Sequence, residues 1–475
     1  MVRRRVYSSL MLTRCAVAFA GCIVLSTAAL AAPRTMRLDY YHSGNEKQEL
    51  FSLDRVVIEP LEWPGNVQKT VDRTNLGKYF FELRDAQGTI LYSRGFASIY
   101  GEWETTDEAK TMNRTFHESV RFPAPDGPVK LTIRKRDPAN AFQDLWTTDV
   151  DPKSIFVDDA TPPAAGALIA FEKNGAPADK VDVLLLGDGY TGAERGKFER
   201  DARRMIDILF ATSPFKEHRR DFNVWGLVPA AAQSGISRPS TGIHRASPIG
   251  ATYDAFGSER YVLTFNNRAL REIAAFAPYE FIEILTNSRT YGGGGIFNLY
   301  STVAADSAQA PYVFVHEFAH HFAALADEYY TSPVAYGPAP AHKIEPWEPN
   351  VTALLDPGTL KWRDLVEAGT PLPTPWQKQA YERTSRAYQE RRAKIRAEHR
   401  PEEEMEALFR EAHDAEQALF AAERYKGTVG AFEGANYEAT GYYRPEIDCI
   451  MFTRSPVFCA VCRRGIENII RLYTP

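Results

Sequence analysis

The stretch that most constrains this chain is "YVFVHEFAHHFAALADEYY", Tyr312–Tyr330. Rich in Ala, Phe and Val, with no internal Gly or Pro, it reads as a buried helix. Yet it carries three histidines, two glutamates and one aspartate. Buried ionisable groups are costly unless each has a partner. His316 and His320 are four residues apart, so on a helix they share one face, one turn apart, and can grip a single zinc ion. Glu317 lies about 100° round the same turn. From there its carboxylate can hold a water on zinc and take its proton. HExxH inside an apolar helix therefore points to a zinc hydrolase.

Zinc needs a third protein ligand and an open position. His321 points about 100° away from His320 and is not expected to ligate. Asp327, eleven residues after His316, is the candidate. Seven residues of unbroken helix would carry it about 10.5 Å from His320. The helix must therefore end after His320 and fold back. Glu328, its neighbour, is an alternative, and a rival scheme takes Glu345 or Glu348 from the proline-rich "KIEPWEP". The spacing resembles the metzincin pattern HExxHxxGxxH with a later methionine turn. Here an aspartate would stand one residue later, and Phe322-Ala323-Ala324 would replace the turn glycine. Met451, in "EIDCIMFTRSPVF", is the candidate for the methionine turn, supporting the site by packing. Tyr442 or Tyr443, just before it, could donate to an oxyanion.

The chain of 475 residues is long enough for two or three domains, and its net charge of -5 excludes broad nucleic-acid affinity. "MVRRRVYSSLMLTR" and the apolar run after it, closing on Ala29-Leu30-Ala31, read as a signal peptide over residues 1–31. Export to the periplasm or outside follows. Lipidation at Cys22 is the alternative. No later segment is long and apolar enough to span a bilayer. Cleavage would leave Cys449, Cys459 and Cys462, of which two could pair in an oxidising compartment. Cys459-x-x-Cys462 has the spacing of half a zinc site or a redox pair. Neither is expected, because there is no second CxxC and no thioredoxin-like context.

Residues 35–150 read as an all-β sandwich. "YFFELRDAQGTILYSRGF" is two strands around Gln87-Gly88, and "VKLTIRKR" alternates with Val129, Leu131 and Ile133 on one face. Residues 151–168 read as a linker. From 169 to 475 the pattern becomes α/β, with "KVDVLLLGDGY" as a buried strand before an amphipathic helix that turns Phe198, Met205, Ile208 and Leu209 inward. Gly292–Gly295 allow close backbone approach or flexing. "IFNLYSTV" reads as a strand able to pair with a substrate peptide. Residues 375–425 read as an exposed helical hairpin inserted in this domain.

Taken together, "MRLDYYHSG", "LLGDGYT", "HEFAHHFAALADEYY", "EPWEPNVT" and "YRPEIDCIMF...FCAVC" resemble landmarks of the IgA peptidase family of zinc metallopeptidases. The resemblance covers nearly the whole chain after the signal. It implies a multidomain α+β and α/β fold: an N-terminal β domain, then a metzincin-like catalytic domain. It maps His316, His320 and Asp327 to one zinc ion, with Glu317 as base. A protein or peptide substrate is implied; immunoglobulin cleavage is not carried over. The alternatives are an inactive zinc protein that binds glycans or proteins, and a cell-wall peptide amidase.

Overall fold

The computed structural model describes residues 1, 32–335 and 343–475. The signal peptide and Cys22 fall on residues outside these. Residues Pro33–Pro475 form one compact unit. Among the described residues no helix is long and apolar enough to cross a membrane.

The N-terminal region is β-rich, with two four-stranded sheets. One runs Arg114–Pro123, Arg34–Asn45, Gln48–Glu62, Val157–Asp158; the other runs Ile90–Phe96, Tyr79–Arg84, Val129–Arg136, Phe142–Val150. Their inward residues share one core. Met36, Leu38 and Tyr40 come from the first sheet, and Phe81, Leu83, Leu131 and Ile133 from the second. Period-two alternation puts Val129, Leu131 and Ile133 inside while Lys130 stays exposed.

A mixed α/β region follows. Its six-stranded sheet runs Gly293–Ile296, Tyr300–Ala304, Phe281–Thr286, Val181–Asp188, Phe222–Leu227, Ile169–Glu172. The inner strands are parallel and the two outer pairs antiparallel. Strand Val181–Asp188 is buried along its whole length, which explains its unbroken apolar run. One face packs on helix Arg195–Leu209 and on the helix that carries HExxH, Ala310–Ala323. The other face packs on helix Asn267–Ala274 and on Ile99, Tyr100 and Trp103 of the N-terminal region. In helix Arg195–Leu209, Ile206 is buried and Ile208 only partly so.

Two sequence expectations change. "IFNLYSTV" is not one strand. Asn298, in the left-handed region at φ 55°, turns the chain between Gly293–Ile296 and Tyr300–Ala304. The sheet edge is therefore the glycine strand. The hairpin of helices Lys378–Ala397 and Glu402–Ala421 is charged but not wholly solvated. Met405, Leu408, Phe409 and Phe420 are buried in the same core as the HExxH helix.

Candidate metal centre

Helix Ala310–Ala323 ends at Ala324, which takes φ 55° and ψ 32°. Its N–H donates to the His320 carbonyl at 3.1 Å, closing the helix with a left-handed cap. That conformation usually selects glycine and costs an alanine about 1–2 kcal/mol. The chain then reverses. Buried Asn350 holds the reversal from both sides: its Oδ1 accepts from Ala326 N at 2.8 Å, and its Nδ2 donates to Ala326 O at 2.9 Å. Asp327 is thereby returned to the helix face it had left.

There three ligand-type atoms converge. His316 Nε2 and His320 Nε2 are 3.2 Å apart, and Asp327 Oδ1 is 3.0 Å from the first and 3.2 Å from the second. Both imidazoles are oriented from behind. His316 Nδ1 lies 3.0 Å from Ile450 O, and His320 Nδ1 donates to Leu325 O. With Nδ1 engaged on the backbone, Nε2 is the atom that each ring turns toward Asp327. Asp327 Oδ1 is buried with no hydrogen-bond partner, while Oδ2 accepts from the Tyr437 hydroxyl at 2.6 Å. Two imidazole Nε2 atoms and a carboxylate oxygen around one point are a donor set for a small divalent cation, which would take the place of any proton between them. Four-coordinate zinc, with bonds of about 2.0–2.1 Å to nitrogen, spaces its ligand atoms about 3.3 Å apart.

Electrostatics follow the geometry. Burial works against the Asp327 carboxylate, but the two imidazoles override it and hold the group well below its usual range. Burial also works against protonated His320, yet Asp327 beside it lifts the imidazole to about 9. Glu317 is raised by burial, partly offset by His316 and His320.

These groups line a cleft of about 780 Å³ between the N-terminal region and the α/β region. Glu317, His320 and Asp327 lie on its wall with Arg260, Tyr329 and Tyr437. The glycine strand lines it too, for a steric reason. A Cβ on Gly295 would sit 2.2 Å from the Glu317 carbonyl oxygen, and one on Gly293 would sit 2.5 Å from Val313 Cγ1. Only glycines let the sheet edge lie this close to the HExxH helix.

The remaining sequence candidates fall as follows. Glu328 points away from the histidines: its Oε1 accepts from Asn350 Nδ2 at 3.0 Å and lies 3.3 Å from Cys462 Sγ. Glu345 and Glu348 line the cleft outside the histidine cluster. Met451 is fully buried, and its carbonyl accepts from Glu328 N at 2.8 Å. Tyr442 lines the cleft and donates to Ile344 O at 3.2 Å. Tyr443 joins Thr352 through backbone hydrogen bonds. The hydroxyl that meets Asp327 is that of Tyr437, in the turn of a two-stranded hairpin, where the sequence gives no periodic signal.

His321 is fully buried and neutral, its pKa driven down to about 3 by burial. Its Nδ1 donates to Ile296 O at 3.1 Å, and its Nε2 accepts from Ile282 N at 3.1 Å. It ties the helix to two strands. His321→Ala would leave both backbone groups unpaired and open a cavity, so a loss of about 3–5 kcal/mol is expected in denaturant unfolding. Unchanged stability would contradict the tie.

Residues 169–470 match the family model described as IgA Peptidase M64, and residues 28–147 match that of the Peptidase M64 N-terminus. No curated protein matches the chain.

Proposed function

The chain belongs to the IgA peptidase M64 family, a family of metallopeptidases, and from that premise we propose that it is an exported, zinc-dependent endopeptidase of metzincin-like build. One observation carries the choice of metal ligands: the approach of His316 Nε2, His320 Nε2 and Asp327 Oδ1 to within 3.0–3.2 Å of one another. When bound, zinc supplies Lewis acidity toward a water and the scissile carbonyl.

The chain's own groups do the rest. Glu317 takes the proton of the attacking water and passes it to the leaving amine. Gly293 is already paired with the Arg260–Val262 segment, so a substrate peptide lies extended past Gly295, where the strand lines the cleft. Arg260 stands on the same wall, and its guanidinium donates to the Tyr329 hydroxyl at 3.2 Å. It is one cleft group able to meet negative charge on the carbonyl oxygen; Tyr442 could do so only by leaving Ile344 O. Ile450 O and Leu325 O keep the imidazoles turned so that the bound geometry is set in advance.

The test is digestion of casein and of a peptide library by the purified chain, with cleavage sites mapped by mass spectrometry. Cuts inside polypeptides, abolished by a chelator and restored by zinc, are expected. Hydrolysis indifferent to the chelator, or restricted to cell-wall peptide, would overturn the reading.

A further inference from the structure

On the far side of Asp327 a second cluster closes up. Cys449, Cys459, Cys462 and Glu328 bring one ligand atom each to within 4.8 Å of one another, and all four residues are buried. We infer that these four residues form a second, structural zinc site that anchors the segment carrying Asp327.

The distances fit. Tetrahedral zinc with thiolate bonds of about 2.3 Å sets its sulfurs about 3.8 Å apart, and a sulfur about 3.5 Å from a carboxylate oxygen. Cys449 Sγ and Cys462 Sγ are 3.7 Å apart, and Cys462 Sγ is 3.3 Å from Glu328 Oε1. A disulfide would need about 2.05 Å between sulfurs, and all three cysteines are free.

Burial pushes the Cys449 and Cys462 thiols up, while backbone donors face the sulfurs of Cys449 and Cys459. Cys459 caps helix Ala460–Tyr473, where its sulfur accepts from Cys462 N at 3.4 Å. Cys449 Sγ accepts from Cys459 N at 3.3 Å. Backbone N–H groups and a helix N-terminus both stabilise negative sulfur. Glu328 Oε2 is buried without a partner. That leaves a buried ligand-type oxygen unpartnered beside the three sulfurs. Cys459-x-x-Cys462 supplies one half of the site. The other half arrives from Cys449 and from Glu328, far away in sequence.

Such a site is closed, with four protein ligands and no open position, which is the structural form of zinc. It would cross-link three segments that shape the first centre. Glu328 follows Asp327 directly. Cys449 precedes Ile450, whose carbonyl orients His316, and Cys459 and Cys462 lie at the start of the last helix.

Metal analysis of the purified full chain tests this independently of peptidase activity. Two zinc equivalents per chain are expected, falling to one in Cys459→Ala. Cobalt substitution should give an intense near-ultraviolet thiolate-to-metal band, which a site of two histidines and an aspartate cannot produce, and Cys459→Ala should lose it. If that variant does not fold, Cys462→His, which keeps a ligand, should retain two equivalents with a weakened band. One equivalent with no thiolate band would overturn the inference. So would the mass deficit of a disulfide, or three thiols that alkylate in the native protein. Loss of peptidase activity with two metals retained would count against the catalytic reading alone.

Discussion

Glu317→Gln is expected to cut kcat by about 10²–10⁴-fold while leaving metal content and thermal stability unchanged. The amide keeps the shape of the carboxylate but cannot accept a proton. Shape matters here because a Cβ added to neighbouring Gly293 would sit 3.1 Å from Glu317 Cγ. Glu317 lies on the cleft wall, and burial keeps its proton affinity above that of an exposed carboxylate. Both features suit a group that must take a proton from water and release it to an amine. Activity equal to wild type in a correctly folded, metal-loaded variant would remove Glu317 from the role of base.

Asp327→Ala is expected to lose the metal of the first centre and, with it, all measurable hydrolysis. Removing an outer partner of a metal ligand commonly costs 10–100-fold in affinity, and removing a ligand costs more than that. Tyr437→Phe makes the internal comparison. It deletes only the hydroxyl that donates to Asp327 Oδ2 at 2.6 Å, so an affinity loss of about 10–100-fold is expected, with activity recovered at high zinc. Competition with a zinc chelator of known affinity measures both. If Asp327→Ala binds metal as tightly as wild type, another side chain completes the site.

The readable parts of this molecule were those with local periodicity. Spacing of four residues placed His316 and His320 on one helical face, and rise per residue required the helix to break before Asp327. Alternation marked the strands of the N-terminal sheets. What stayed hidden was non-local. Asn350 holds the return from 24 residues away, and Tyr437 reaches Asp327 across 110. No pattern in the HExxH segment announces either. The spacing requires the break; it does not show that Ala324 itself takes the left-handed conformation. The cysteines show the same limit. A search for a second CxxC passes over a cluster completed by Cys449 and by a glutamate 134 residues from Cys462. "IFNLYSTV" misled because its apolar run conceals a turn at Asn298. The helical hairpin misled because its charges outnumber the few apolar residues that dock it.

The most direct test is anomalous diffraction at the zinc edge from crystals of the purified chain. An ion is predicted about 2.0–2.2 Å from His316 Nε2, His320 Nε2 and the Asp327 carboxylate, with its remaining position open to the cleft. No ion between those three side chains, or an ion there completed by Glu345 or Glu348 in place of Asp327, would contradict the account.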